Sequence, residues 1–329
     1  MTEVTAAGYP NRVETEGPAP YRLFNSPVVL LTGATSQLGV FLIPRLVREK
    51  YRVLAISRKV SHAVDSGANP LWVRPEVLTA TDSTGSSNIP LNSIEFMVSC
   101  GPLELAIPVI SRCKQVRRIV VFSTSSVYSK IASAHQAERE QVADILKYEN
   151  ILKVLCEKAD IDLVILRPTM IYGCGLDQNI SRLARWIRRF GWLPVAGAAS
   201  GLRQPVHADD LAQLAVNALG VKGRLTLDSP ACGGSTLRYR EMVERVFDSQ
   251  SRPRRVMALP PRLLSWILRM VAFTRLTGKT NSEMVTRQNV DLVFDDQAIK
   301  EVLNYHPRPF KPTPADFEIP AEAAEYQLY

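Results

Sequence analysis

The chain has 329 residues, a formal net charge of +8, 46% hydrophobic and 22% charged residues. That balance suits one large α/β domain with a smaller lobe and a full core, and it excludes a disordered chain. No run of about 20 apolar residues is free of charge, which argues against a spanning helix.

Residues 1–27 hold Glu3, Glu14, Glu16, four prolines and no apolar periodicity, so a flexible tail is expected there. Val28-Val29-Leu30-Leu31 then reads as a buried strand. The small-residue turn Thr32-Gly33-Ala34-Thr35-Ser36-Gln37-Leu38-Gly39 follows, and a helical pattern starts with Val40, Phe41, Ile43, Leu46 and Val47. A strand that feeds a helix through such a turn aims backbone N–H groups at one point, an anion site suited to a pyrophosphate. Gly33 would allow the turn and Gly39 would allow close packing, with Ser36 where many such loops carry another glycine. The plainer reading is an ordinary strand–turn–helix with incidental glycines.

The second strand, 52–57, ends in Ser57-Arg58-Lys59. Dinucleotide sites that take NAD usually have an acid at this point; a cation such as Arg58 suits a 2′-phosphate. NADP is therefore expected, with NAD as the alternative. Trp72-Val73 reads as a third strand, 79–90 as a polar loop, and Ile94–Ser99 as the next strand. Cys100-Gly101-Pro102 is a tight turn at the sheet's carboxyl edge, where ligands bind. A helix over 103–116 and a strand over 118–122 lead to the hydroxyl run Ser123-Thr124-Ser125-Ser126-Val127-Tyr128-Ser129, which either binds a ligand or caps the turn. A helix over 134–159 and a strand over 163–166 follow, then Arg167-Pro168.

A second lobe is expected from residue 174. The helix 181–190 has Leu183, Trp186, Ile187 and Phe190 on one side and Arg182, Arg185, Arg188 and Arg189 on the other, with Gly191 to end it. Arg203, His207, Asp209 and Asp210 precede an apolar helix; 224–227 reads as a strand and 237–247 as a helix. The apolar stretch 260–277 reads as a buried helix with Arg262 and Arg269 snorkelling, or as a helix in a membrane interface. Residues after Pro307 are proline-rich and expected to be extended. Five scattered cysteines without a Cys-x-x-Cys pair argue against a metal site and fit a reducing cytoplasm. The basic balance favours anionic partners, but no nucleic-acid recognition motif accompanies it.

Four segments in order, Thr32–Gly39, Ser123–Tyr128, Leu166–Gly173 and Arg203–Ala212, give the chain a family resemblance. From Val28 to Phe310 it resembles the extended short-chain dehydrogenase/reductases, in particular the NAD-dependent epimerase/dehydratase family. The resemblance implies a Rossmann-type doubly wound parallel sheet over 28–173, to which segments near 202–228 return, and over 174–329 mainly a small C-terminal α/β substrate lobe with a C-terminal extension. It implies that Gly33, Ser36 and Gly39, with Thr35, Gln37 and Leu38 between them, hold the cofactor pyrophosphate. Ser57, Arg58, Cys100, Gly101, Ser123, Arg167 and Pro168 would complete the cofactor site. Thr124 matches the family's catalytic Ser or Thr, Ser125 and Ser126 would face substrate, and Arg203 would meet a nucleotide-sugar diphosphate. His207, Asp209 and Asp210 look structural.

The family's base, a tyrosine with a lysine four residues later on one helix face, is missing: no Tyr-x-x-x-Lys occurs. Anchored on Glu149 and Arg167, those positions are Gln141 and Ile145. Tyr128 and Tyr148 remain as candidate bases, with Lys130 and His135 behind them. Lys153 lies about 140° around the helix from Tyr148, so the two would diverge. The expectation is a divergent NAD(P)-dependent enzyme acting on a nucleotide sugar or lipid-linked sugar. The alternative is a non-catalytic NAD(P)-binding regulator or scaffold. A homodimer and peripheral contact with the inner membrane face are further expectations.

Overall fold

Val29, Leu30 and Leu31 are wholly buried because their strand has a neighbour on each edge and helices on each face. The computed structural model describes residues 26–58, 69–78, 91–272 and 282–321. The expected tail over 1–27 falls almost wholly outside the described residues, and the loop expected over 79–90 wholly so.

The first half alternates strand and helix: β1 (Val28–Thr32), α1 (Gly39–Arg48), β2 (Arg52–Ile56), β3 (Leu71–Val73), β4 (Ile94–Ser99), α2 (Ile107–Arg112), β5 (Arg118–Phe122), α3 (Ser126–Ser129), α4 (Gln136–Lys158) and β6 (Asp162–Pro168). The second half runs β7 (Ile171–Tyr172), α5 (Ile180–Phe190), β8 (Leu193–Ala196), β9 (Leu202–Arg203), β10 (Val206–His207), α6 (Ala208–Gly220), β11 (Leu227–Ala231), β12 (Leu237–Arg238) and α7 (Tyr239–Ser249). It ends with β13 (Val256–Leu259), α8 (Pro261–Ala272), α9 (Ser282–Arg287) and α10 (Gln297–Leu303).

Seven parallel strands form one sheet in the order β11-β6-β5-β4-β1-β2-β3. The order reverses between β1 and β4, so the carboxyl ends of these two strands open a crevice. Side chains alternate between two cores, as the period of two requires. Val29, Leu31, Val98, Val120 and Val164 meet α1 and α6 on one face. Leu30, Met97, Ile119, Val121 and Ile165 meet α2 and α4 on the other. A third core, with Tyr172, Ile187, Val195, Phe247 and Phe310, belongs to the second lobe, where α5 and α7 cover the ribbon β8–β13. Gly191, at φ +74°, ends α5.

Several expectations are corrected. The strand expected over 224–227 is β11, beginning at Leu227, because Arg224 is drawn to Asp160 and Asp162 at 2.9 Å each. The helix expected over 103–116 is a 3-10 turn followed by the six-residue α2, with Pro108 near its start. Within the expected C-terminal extension, residues 297–305 return to the sheet. Ile299, Leu303 and Tyr305 pack into the α1–α6 core beside the sheet. The described side chains of α8, residues 261–266, are not buried throughout: Leu264 is buried, but Leu263 and Trp266 are exposed. Its expected continuation over 273–277 lies outside the described residues. Among the described residues no helix is long and apolar enough to cross a membrane, and no group of three metal-ligating side chains occurs.

Candidate binding cleft

The turn after β1 is built against the end of β4. Cys100 N–H donates to the Thr32 carbonyl at 3.0 Å, and Thr32 Oγ1 donates to Ser99 Oγ at 3.0 Å. Gly33 sits at φ +66°, and a Cβ there would lie 2.5 Å from the Cys100 carbonyl carbon. A Cβ on Gly39 would lie 2.2 Å from the Ala34 oxygen. Both contacts are with backbone, so neither position accepts a side chain without moving the loop. The Ser36 hydroxyl accepts from the N–H of Gly39, the first residue of α1, at 3.2 Å. The N–H groups of Gln37 and Leu38 have no acceptor among the described residues, and the buried Gln37 Oε1 has no partner. Free donors between two glycines that admit no side chain, at a helix start, fit a dinucleotide's pyrophosphate. Thr35 lies within the same loop. Burial pushes the Cys100 thiol up, so it stays neutral beside this loop.

At the end of β2, Ser57 is buried and its N–H donates to the Val73 carbonyl at 3.0 Å, while Arg58 is exposed at the same sheet edge. Across the crevice, Ser123 and Thr124 at the end of β5 line two adjoining cavities. One, of about 530 Å³, is walled by Gly101, Pro102, Glu104, Gln141, Asp144, Ile145 and Tyr148. Gln141 and Ile145 thus do face the cleft, where neither carries a base. Tyr148 lies on the same wall, with Lys147 Nζ 5.7 Å from its ring centroid. Lys153 turns away to Asp228 at 2.6 Å, so it forms no pair with Tyr148. Thr124 Oγ1 accepts from Ser126 N–H at 3.1 Å, which leaves its own proton to donate.

Arg167 lines neither cavity. It is buried, bonds Glu149 at 2.6 Å and Tyr128 Oη at 3.1 Å, and pairs with Asp228. Ser123 donates to the other oxygen of Glu149. Burial alone would lower the Arg167 pKa, but the bonds to Glu149 and Tyr128 outweigh it and raise the value. The guanidinium is therefore an anchor joining α4, β6 and β11 beneath Ser123. Tyr128, expected as a base, gives its ring to Phe294 at 5.4 Å and its oxygen to Arg167; it lines neither cavity.

The second cavity, of about 510 Å³, runs from Gln37 and the hydroxyls of Ser123, Thr124, Ser125 and Ser126 past Pro168 to the second lobe. Lys130, Arg182, Arg203 and Arg287 line it, against the single carboxylate Glu138. Arg203 donates to the carbonyls of Leu202 at 2.6 Å, Val290 at 2.7 Å and Arg287, and stacks 5.5 Å over Tyr239. It is 4% exposed, has no carboxylate within bonding distance among the described residues, and burial lowers its pKa. Its Nε has no partner. Glu138 holds Arg287 and, at 3.5 Å, Lys130. Glu138, Asn179, Tyr239, Arg287 and Phe294 join the site from separate segments and carry no local motif, whereas Thr169 and Gln204 come from the segments Leu166–Gly173 and Arg203–Ala212. His207 is structural: Nδ1 accepts from Asp209 N–H at 3.0 Å, capping α6, and Nε2 meets Asp316 at 3.0 Å.

A model of the NAD dependent epimerase/dehydratase family matches residues 102–224. An uncharacterized protein of Sinorhizobium fredii is 26% identical over 220 residues, 64% of this chain and 54% of that protein, so the chain spans about half of that relative's length. The UDP-glucose 4-epimerase of Vibrio cholerae is 24% identical over 310 residues, 85% of this chain and 90% of its own. Among solved structures, UDP-N-acetylglucosamine 4-epimerase from Bacillus cereus superposes with a TM-score of 0.63 at 15% identity, over 88% of this chain and 94% of that one. UDP-glucuronic acid 4-epimerase from Bacillus cereus, in complex with UDP-glucuronic acid and NAD, gives 0.59 at 17% identity, over 92% and 100%. At such identities the likeness is one of fold.

Proposed function

We propose that this chain, whose residues 102–224 match a model of the NAD dependent epimerase/dehydratase family, binds a nicotinamide dinucleotide and acts as an epimerase or dehydratase on a nucleotide sugar or lipid-linked sugar. One observation carries this reading. The loop at Gly33–Gly39, whose two glycines admit no side chain, meets through Gln37, Ser123 and Thr124 a cavity lined by four cations and one carboxylate. Such a cavity suits a sugar diphosphate, whose charge the arginines would offset.

When bound, the dinucleotide supplies hydride acceptance and return. The chain's own residues do the rest. Thr124 has a proton free to orient a substrate oxygen. Arg203 brings an unneutralised charge to the substrate end. Tyr148, one turn beyond Ile145, is the phenol on the cleft wall and the best-placed proton acceptor. A second reading, a binding protein without chemistry, is favoured by Gln141 and Ile145 on the same wall. Arg58 supports NADP, whereas the Bacillus relative's structure holds NAD.

The test is in two parts. Fluorescence titration with NADH and NADPH should show binding, tighter for NADPH. No binding of either would overturn the cofactor assignment, and tighter NADH would overturn the role of Arg58. Incubation with UDP-sugars and polyprenyl-linked sugars should then give turnover that Thr124→Ala and Tyr148→Phe abolish with cofactor binding intact. Cofactor binding without turnover on any sugar would favour the second reading.

A further inference from the structure

The second lobe has a surface that the cleft leaves unused. Segments 180–192 and 252–262 contain eight arginines and no carboxylate. Arg254 is neutralised by Asp248 at 2.7 Å, and Arg185 reaches the Gly175 carbonyl at 3.1 Å. Arg188, Arg189, Arg252 and Arg255 are exposed, with no carboxylate within 4.0 Å among the described residues.

Large aromatic rings stand among these charges. Trp186 lies 4.4 Å from Phe190 and 6.3 Å from Trp192, centroid to centroid, and its indole donates to the Trp192 carbonyl at 3.0 Å. Phe190 is 45% and Trp192 36% exposed. The ribbon register sets Leu193 beside Val256, and Leu193 N–H donates to the Arg255 carbonyl at 3.0 Å, so Trp192 and Arg255 are neighbours. Arg189 lies 5.9 Å from the centroid of the Phe190 ring. Met257 on the same ribbon is also exposed, as are Leu263 and Trp266 on the helix that follows it.

A merely solvated basic face accounts for the arginines but not for exposed indole, phenyl and aliphatic groups beside them. A second copy of the patch would set arginine against arginine with no acid to neutralise either. A nucleic acid would answer the charge and the rings but leave the methionine and leucine uncovered. An anionic bilayer surface answers all three: phosphates for the arginines, the interface for the rings, acyl chains for the aliphatic groups.

We propose that the end of α5 with the β8–β13 ribbon docks this protein on an anionic lipid surface, as a peripheral contact. The first turn of the same helix supplies Arg182 and Leu183 to the cationic cavity, so docking would hold the cavity close to the lipid headgroups. This proposal stands apart from the cofactor reading, and its test needs no turnover.

Full-length protein should co-sediment with phosphatidylcholine vesicles that contain phosphatidylglycerol, and not with phosphatidylcholine alone. Binding should weaken as salt rises. Arg188→Gln/Arg189→Gln should weaken partition about fivefold for each arginine, whereas Arg48→Gln on α1 should not change it. Brominated acyl chains should quench tryptophan emission in wild type and less in Trp192→Ala, with circular dichroism unchanged. The idea fails if the protein stays in the supernatant with anionic vesicles at low salt, or if the arginine pair leaves partition unaltered. It fails equally if a nucleic acid binds more tightly than the vesicles, or if Trp192→Ala dissociates a dimer instead of changing lipid binding.

Discussion

Gly33 shows how much one missing side chain decides. A left-handed backbone costs any other residue about 1–2 kcal/mol, and here the added Cβ would also strike the Cys100 carbonyl. Gly33→Ala should force the ends of β1 and β4 apart and weaken dinucleotide affinity by at least about tenfold, read by fluorescence titration. Gly33 and Gly39 were legible in the sequence because a turn between a strand and a helix is a local event. Arg167 was legible as a motif but not as a role. Its partner Glu149 lies on α4 and Asp228 on β11, and only the folded sheet brings these carboxylates together on one guanidinium. Tyr239 and Arg287 were invisible for the same reason: each reaches the cleft from the second lobe, and nothing in its neighbouring residues marks it.

Among the elements, β5, β6 and α6 are locked together by one buried pair. Arg118 bonds Asp162 at 2.8 Å and donates to the carbonyls of Ala218 and Val221 at 2.8 Å each and Gly223 at 2.6 Å, which closes the carboxyl end of α6. Arg118→Met should cost about 3 kcal/mol or more, since it removes the buried cation from Asp162 and leaves several carbonyls without a donor. Arg224 also meets Asp162, but its side chain is 63% exposed, and Arg224→Ala should cost less than about 1 kcal/mol. Urea denaturation of the two variants measures the contrast. The parallel strands could be read from their apolar runs, because burial on both faces leaves no other pattern. The start of β11 could not, since the pull of Asp160 and Asp162 on Arg224 is a tertiary fact.

For the molecule as a whole, three carboxylates fasten the C-terminal segment to α6, and Asp210, which meets Arg308 at 2.8 Å, is one of them. Asp209 bonds Arg45 and Arg308 at 2.7 Å each, and Asp316 bonds His207. Burial would raise the carboxyl pKa values of Asp209 and Asp316, but those partners outweigh it and lower them. Their stabilisation is therefore present above the unfolded pKa, near 4, and is lost as pH falls through the lower folded values. Asp209→Asn should reduce stability at pH 7, and the difference from wild type should shrink on acidification below about pH 4, followed by thermal melts across pH. The sheet has a further consequence, for biosynthesis. Its seventh strand and the helix covering α1 both come after residue 207, beyond the start of the second lobe. A nascent chain released at residue 173 would expose the apolar side of α1 and an unpaired β6 edge. Such a fragment should aggregate or be rapidly proteolysed where the full chain survives, so this dinucleotide fold cannot mature on the ribosome ahead of the lobe that follows it.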